Sequence, residues 1–264
     1  MTRAKICGIT RAEDAELAAE LEAWAIGFIL WPGSRRACDP GLAAGIARRL
    51  RRRIQLVGVF VNPTLDEVAH AADAIGLTHL QLHGDEGPSF CAEAGRRTGC
   101  RVIKAVRVRG GADLLDLQRF RLVDLHLLDA WSADARGGTG ETWDWSLLAR
   151  RRRTVPTILS GGLTPDNVAS AIAAVEPWAV DVASGVEASA GIKDPGKVAA
   201  FLAAVRGPDP TPDPEALESP VEDGADAPPE ADPVAAPTGF GEPGRAESPP
   251  VPADARAAAD RPLS

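Results

Sequence analysis

One thiol and one carboxylate in this sequence stand where short apolar runs end. Cys7 closes the run "AKIC", and Asp129 closes the run "LHLLD". Near pH 7 a small fraction of a cysteine is thiolate, which can act as a base or a nucleophile. A partly buried carboxyl group can keep a proton and act as an acid. The pair could therefore move protons on a bound substrate, although a buried cysteine is usually only a small hydrophobic residue.

Two glycine-containing loops indicate what such a substrate carries. "SGGL" runs directly into the helix-like segment "TPDNV", and "ASGVE" follows a later apolar run. Main-chain N–H groups at such positions bind phosphate, and glycine lets the backbone approach the ligand closely. The two loops, Ser160–Leu163 and Ala183–Glu187, together predict a phosphate site.

Further polar residues follow other apolar runs. Arg35 and Arg36 lie in "WPGSRRACDP" after the second run, and His83 ends "LQLH". We interpret His83 as a structural or substrate-contacting imidazole rather than as the base. Gly8, directly after Cys7, is expected to leave room beside the thiol.

The elements that must position these residues alternate regularly. Near-continuous apolar runs, typical of strands buried on both faces, are separated by segments with alanine or leucine at helical spacing. This pattern favours a (β/α)₈ TIM barrel, in which chemistry gathers at the carboxyl ends of the strands. An open doubly wound sheet is the alternative, but no G-x-G-x-x-G follows the first strand. The eight runs are "AKICGI", "AWAIGFIL", "IQLVGVFV", "THLQLHG", "RVIKAVRV", "LHLLDA", "VPTILSGG" and "WAVDVASG".

The starts of several helices carry capping signals. Two Thr-x-x-Glu sequences predict capping boxes, and three capping residues precede a proline suited to the first helical position. The helix that begins at Thr10 is expected to favour the Cys7 anion through its positive end. The segment 112–121 is the weakest helix pattern. The predicted caps are Thr10, Thr64, Asp39, Thr164 and Asp194.

The last part of the chain has a different composition. Residues 207–264 hold 14 of the 22 prolines and 13 of the 37 acidic residues but 3 of the 29 basic ones. Such a segment buries too little apolar surface to offset its ordering entropy. We expect a barrel domain at 1–206 and a disordered acidic tail at 207–264.

Charge and cysteine usage bear on the binding partners, the metal content and the cellular compartment. The tail accounts for the net charge of −8, so the nearly neutral remainder does not favour nucleic-acid binding. The four cysteines form no C-x-x-C pair, which argues against zinc and against a disulfide framework. Without a signal-like or membrane-spanning segment, a cytoplasmic protein is expected.

Taken together, the motifs resemble the phosphoribosylanthranilate isomerase family of tryptophan biosynthesis. The likeness spans about residues 3–205, in the family's order and spacing. It is carried by "KICGIT", "GF", "SRR", "GVFVN", "LQLHGDE", "LLDA", "GGTGETWDW", "SGGLTPDNV" and "DVASGVE...GIKD".

The resemblance implies a (β/α)₈ barrel that catalyses an Amadori rearrangement without a metal or organic cofactor. It implies that Cys7 is the general base, that Asp129 is the general acid and that Arg36 contacts the anthranilate end of the substrate. The phosphate loops of the family fall on Gly161, Gly162, Ser184 and Gly185. A small phosphorylated substrate is the expected partner, and the chain is expected to be a monomer or homodimer.

Two other functions are weighed against this one. The related histidine-pathway isomerase acts on an aminoaldose bisphosphate with aspartate in both acid–base positions, so Cys7 argues against it. A third alternative, an isomerase that accepts both the anthranilate and the histidine-pathway substrate, is left open. An inactive barrel that serves as a scaffold for its acidic tail would not need the Cys7 and Asp129 pair.

Overall fold

A computed structural model describes residues 1–129 and 154–207 of this chain. Within them, eight strands pair in parallel in chain order, and the first strand pairs with the eighth to close a barrel. The predicted (β/α)₈ fold is therefore confirmed for these residues. The strands are β1 (Arg3–Cys7), β2 (Ala25–Ile29), β3 (Gln55–Phe60), β4 (His79–Leu82), β5 (Arg101–Arg107), β6 (Leu125–Asp129), β7 (Thr157–Ser160) and β8 (Ala179–Val182).

Helices connect successive strands along the described part of the chain. The connection between β6 and β7 includes 130–153, which lies outside the described residues. The weakly patterned segment 112–121 forms one short helix followed by a 3₁₀ turn at Leu117–Arg119. The helices are α1 (Ala12–Glu20), α2 (Pro40–Leu50), α3 (Leu65–Ile75), α4 (Pro88–Thr98), α5 (Gly111–Asp116), α6 (Val168–Val175) and α7 (Pro195–Arg206).

Three of the five predicted caps are confirmed. Thr64 and Glu67 form a complete capping box at the start of α3. The Asp39 side chain accepts a hydrogen bond from the Leu42 N–H, and that of Asp194 accepts one from the Lys197 N–H. Each cap satisfies a main-chain donor that has no partner within its helix.

The other two predicted caps are wrong. The Thr10 hydroxyl donates to the Gly191 carbonyl instead, and α1 begins after Arg11 without a side-chain cap. Thr164 does not cap α6, which starts three residues later than expected. There the Asn167 side chain accepts from the Thr164 N–H, so the intervening residues form a turn. In both places, a competing partner for the threonine decides the local structure.

Two apolar layers hold the barrel together. Outward-facing residues of the strands, such as Ile6, Phe28 and Leu80, pack against the helices. Inward-facing residues form a smaller cluster inside the barrel, because successive strand residues point to opposite faces. That inner cluster consists of Ala25, Val57, Ile103, Ala105, Leu125, Leu127, Ile158 and Ala179. Several of its members are small, which leaves space inside for ionisable side chains.

A short hairpin after β8 was not predicted. A 3₁₀ turn at Ser184–Val186 leads into β9 (Glu187–Ser189), which pairs in antiparallel fashion with β10 (Ile192–Lys193). The Lys193 N–H donates to the Asp14 carboxylate, and this bond ties the hairpin to α1. The hairpin thereby brings Glu187 and Lys193 to the carboxyl end of the barrel.

The helix α7 ends at Arg206, where the predicted barrel domain also ends. Gly207, with a φ of 77°, follows it. The predicted disordered tail lies outside the described residues apart from Gly207. Of the helices in the described ranges, none is long and apolar enough to cross a bilayer.

Candidate active site

The predicted base lies at the carboxyl end of β1. Cys7 is 5% exposed. Gly27 is its partner on β2, and a Cβ atom there would lie 2.9 Å from the Cys7 sulfur and 3.1 Å from the Lys5 Nζ. A glycine at position 27 therefore makes room for the thiol and for an ammonium group beside it.

A buried ion pair lies next to the thiol. Lys5 is fully buried, and its Nζ lies 2.8 Å from the Asp181 Oδ1 on β8. Burial by itself disfavours the charged amine, but Asp181 and then Cys7 outweigh burial and raise the pKa of Lys5 above its ordinary value. Lys5 is therefore a cation at neutral pH, held against the thiol.

The ionisation of Cys7 depends on these neighbours. Burial raises the pKa of the Cys7 thiol above its ordinary value, Lys5 opposes the rise, and Asp181 adds to it. Burial thus has the largest effect on the pKa of Cys7, and Lys5 is the side chain that opposes it most. That the positive end of the first helix also favours the anion stays a prediction.

Arg36 reaches the same end of the barrel from the loop after β2. Its guanidinium donates from Nε and Nη2 to both carboxylate oxygens of Glu187, at 2.8 to 3.0 Å. Gly8 has a φ of 74°, and a Cβ there would lie 2.9 Å from the Arg36 Cδ. The Arg36 side chain therefore occupies the room that Gly8 provides. From the sequence, that room was expected to lie open beside the thiol.

Glu187 links three elements around this arginine. Its carboxylate also accepts from Lys193 Nζ at 3.0 Å and from the Gly191 N–H at 3.1 Å. Burial disfavours its charge, but the bonds from Arg36 and Lys193 outweigh burial and lower the pKa of Glu187. Burial lowers the pKa of Lys193, and Glu187 opposes that change. Glu187 thus fixes the position of Arg36.

The predicted acid lies across the barrel, at the end of β6. The Asp129 Oδ2 is 3.6 Å from His83 Nε2, and both side chains are partly exposed at the carboxyl end. The Nδ1 of His83 is 3.1 Å from the Gln81 Nε2. If this amide nitrogen donates to Nδ1, the remaining ring proton sits on Nε2 and faces Asp129. The structure thus brings His83 and Asp129 together.

A second buried ion pair supports the loop that carries His83. Lys104 Nζ donates to Glu86 Oε2 at 2.8 Å and to the Gly84 carbonyl at 2.7 Å. Glu86 in turn accepts from the N–H groups of Asn62 and Gly84. A Cβ on Gly84 would lie 2.3 Å from the Asn62 Oδ1. The "GVFVN" and "LHGDE" sequences therefore form one packed unit behind His83.

The two glycine-containing loops also meet. Gly161 and Gly162 have φ values of 94° and 64°, which glycine adopts readily. A Cβ on Gly185 would lie 1.9 Å from the Leu163 carbonyl oxygen, so the loop after β8 packs directly on the loop after β7. The residues predicted to bind phosphate thus come from two loops in direct contact.

Four charged residues of this region are not among the predicted site residues. Lys5 and Asp181 lie inside the near-continuous apolar runs of β1 and β8, and Glu187 and Lys193 lie in the short hairpin that follows β8. The available signal was charge within otherwise buried strands, since a buried charge needs a partner. Lys5 and Asp181, on the first and the eighth strand, are opposite charges of this kind.

The closed barrel and the ionisable groups at its carboxyl end define the class of this protein. It is a (β/α)₈-barrel enzyme whose candidate site lies at the carboxyl ends of the strands, as in other enzymes of this fold. Residues 4–204 match the family model described as N-(5'-phosphoribosyl)anthranilate (PRA) isomerase. The chain belongs to this family of isomerases, which interconvert aldose and ketose.

Individual relatives agree with this assignment. An N-(5'-phosphoribosyl)anthranilate isomerase from Citrifermentans bemidjiense is 48% identical over 203 residues, covering 77% of this chain and 96% of the relative. The crystal structure of phosphoribosyl anthranilate isomerase from Thermotoga maritima has a TM-score of 0.73 at 41% identity, covering 78% of this chain and 100% of that one. Another structure of such an isomerase, in complex with reduced 1-(o-carboxyphenylamino)-1-deoxyribulose 5-phosphate, has a TM-score of 0.71 at 39% identity and the same coverage.

Proposed function

We propose that Cys7 and Asp129 of this chain convert N-(5'-phosphoribosyl)anthranilate to 1-(2-carboxyphenylamino)-1-deoxyribulose 5-phosphate. The observation that carries the proposal is their placement. A thiol and a carboxyl group close β1 and β6, on different sides of one barrel end. An isomerisation that removes a proton from carbon and protonates a ring oxygen requires a base and an acid at separate points of the substrate.

The substrate has two anionic groups, and the site has a candidate partner for each. We assign its phosphate to the main-chain N–H groups around Gly161, Gly162, Ser184 and Gly185, whose loops pack on one another. We assign the anthranilate carboxylate to Arg36. Glu187 engages the Nε and Nη2 of this guanidinium, which leaves Nη1 to donate to the substrate.

The reaction then needs two proton transfers and a final tautomerisation. Asp129 protonates the furanose ring oxygen, and the bond between that oxygen and C1 breaks to give an iminium ion. The Cys7 thiolate takes the proton from C2, and the electrons of that C–H bond form the enol-amine. Tautomerisation of the enol-amine gives the ketose. In this scheme, His83 contacts Asp129 and lies beside the substrate.

The pathway, compartment, oligomeric state and partners that we propose follow from the sequence. The enzyme acts in tryptophan biosynthesis, in the cytoplasm, as a monomer or homodimer, and nucleic acid is not among its partners. The four cysteines, all within residues 1–129, are free thiols, which suits a reducing compartment.

The test is the loss of anthranilate-type fluorescence from freshly prepared phosphoribosylanthranilate. The full chain should turn the substrate over, and Asp129→Asn should abolish turnover while affinity for a product analogue falls much less, because an amide imitates the shape of the acid but has no proton to give. A normal kcat with an unchanged pH profile in Asp129→Asn would show that another group is the acid. The aminoaldose bisphosphate of the histidine pathway, assayed in parallel, reveals whether a second substrate is accepted.

A further inference from the structure

Lys5 shares a small space with the proposed base. It precedes Cys7 by two residues on β1, so both side chains point into the barrel. The Cys7 sulfur and the Lys5 Nζ both lie about 3 Å from the position that a Cβ of Gly27 would take. Because Gly27 has no side chain, the thiol and the ammonium group can both lie next to its backbone.

Asp181 holds this ammonium group in place. The Nζ to Oδ1 distance is 2.8 Å, and the Ser160 Oγ lies 3.4 Å from the other carboxylate oxygen. Lys5 is fully buried and Asp181 nearly so. A side chain as flexible as lysine normally extends its charge into water, so its retention inside the barrel calls for an explanation.

The charges around the thiol come from four elements. Lys5 on β1, Lys193 on β10 and Arg36 on the loop after β2 are cations that interact with the Cys7 anion, whereas Asp181 on β8 is an anion that repels it. Arg36 and Lys193 are both bonded to Glu187, which offsets their charge. Among these cations, Lys5 exerts the largest effect on the thiol.

We infer that Lys5 is a positioning residue whose ammonium group stabilises the Cys7 thiolate, and that Asp181 fixes the ammonium beside the sulfur. The inference rests on the proposed function, in which that thiolate takes the C2 proton. When Cys7 ionises, the ammonium lies against two anions, the thiolate and the carboxylate. The thiolate then exists in a buried place where burial alone would suppress it.

A purely structural role for the ion pair makes a different prediction. Lys5 and Asp181 join β1 to β8, so the pair could serve only to close the barrel. In that case Lys5→Met and Asp181→Asn would both destabilise the fold, and neither would shift the titration of the thiol. The proposed role predicts shifts of opposite sign in the two variants.

The experiment measures the pH midpoint of Cys7 ionisation from the ultraviolet absorbance of the thiolate. Each full-length variant is compared with the same variant carrying Cys7→Ala, so that the absorbance of the other cysteines cancels. Lys5→Met should raise the midpoint by about one pH unit or more, a tenfold lower thiolate fraction below the midpoint. Asp181→Asn should lower it, because the amide oxygen can still accept from Lys5 while the negative charge that repels the thiolate is gone. The pH limb of kcat/KM should move with the midpoint, while KM changes little.

Two controls accompany these variants. Lys197→Met removes a cation that is bonded to the Glu187 carbonyl and should leave the midpoint unchanged. The double variant Lys5→Met/Asp181→Asn removes the pair without leaving an unpaired buried charge, so it provides a folded protein should either single variant fail to fold. It too should show a raised midpoint, because the cation with the largest effect on the thiol is then absent.

An unshifted midpoint in folded Lys5→Met or in the double variant would overturn the inference, even if Cys7→Ala is inactive and the proposed function stands. If the midpoint shifts but Cys7→Ala keeps its activity, the proposed base is wrong and the positioning role falls with it. The two failures are thus distinguished by separate measurements.

Discussion

At the scale of single residues, the proposed mechanism depends on what surrounds one sulfur atom. The sequence places Cys7 at a strand end, but the groups that set its ionisation are contributed by β1, β8, β10 and the loop after β2. A thiol in that position with no cation nearby would be an inert hydrophobic residue. The chemistry of Cys7 is therefore a property of the closed barrel.

Cys7→Ala should abolish turnover and leave folding almost intact, since alanine fits the same buried space and removes only the sulfur. We expect kcat/KM to fall far more than tenfold, and a variant that keeps over about a tenth of it would have lost less than roughly 1.4 kcal/mol, too little for an essential base. Steady-state kinetics and thermal unfolding measure the two effects. Cys91→Ala, at a fully buried cysteine of α4, is the matched control and should retain activity.

The residues at strand ends were predictable, and their partners were not. Cys7, Arg36, His83 and Asp129 each follow an apolar run, which is the position where a barrel enzyme concentrates its chemistry. Glu187 could not be paired with Arg36 from the sequence, because 151 residues separate them and the hairpin that brings them together has weak strand patterns. Residue type and strand-end position suggested a base and an acid, the family resemblance tied them to one reaction, and all these roles stay predictions.

At the scale of elements, identical capping signals had different outcomes. Thr64 caps α3 as predicted, whereas Thr10, in the same Thr-x-x-Glu pattern, bonds to the hairpin at Gly191. A Thr-x-x-Glu pattern reports only on hydrogen bonds within the helix start. It cannot show that the Thr10 hydroxyl bonds to a residue 181 positions away. Strand identity and order were predictable because apolar runs are long and regular. The starts of α1 and α6 depended on contacts that the sequence does not display.

The contact between the loops after β7 and β8 is an element-scale feature that can be tested directly. Gly185→Ala places a methyl group against the Leu163 carbonyl, so the two loops must separate. If they bind the phosphate together, KM should rise tenfold or so while kcat falls less, because binding and not proton transfer is disturbed. Gly110→Ala is the control, since a Cβ there meets open space. Equal kinetics in both variants would argue against phosphate binding by these loops.

At the scale of the whole molecule, stability should depend on pH through a histidine inside the barrel. Burial, and then Arg101, lowers the pKa of His79 to about 4 from 6.5. The unfolded chain therefore takes up this proton first as the pH falls, and stability present at neutral pH is lost between about pH 6.5 and 4.

His79→Gln should reduce the loss of unfolding free energy between pH 7 and pH 5 by about 2 kcal/mol. Denaturant unfolding at the two pH values measures it. His70→Gln, at an exposed position of α3, is the control and should behave like the unchanged protein. An identical pH dependence in His79→Gln would mean that this imidazole is not held neutral.

The elements needed for the barrel are complete at Arg206, where α7 ends. Removal of 208–264 should leave kcat/KM within about a factor of two and the unfolding free energy within roughly 1 kcal/mol, since that segment has little apolar surface to contribute. The comparison is made at low salt and at about 0.15 M salt, because pairing between exposed charges is screened. Loss of most activity at both salt concentrations would contradict the predicted disorder of the tail and indicate a second functional unit.

The bond between Lys5 and Asp181 joins residues 176 positions apart, across the seam where the first and last strands meet. Contacts of such long sequence separation form slowly, because the chain between them must first be brought together. During refolding, then, helices and neighbouring strands should gain their native signals before the thiol acquires its counter-charge. Catalytic activity should be the last native property to return, so the recovery of turnover during refolding would report when the barrel closes.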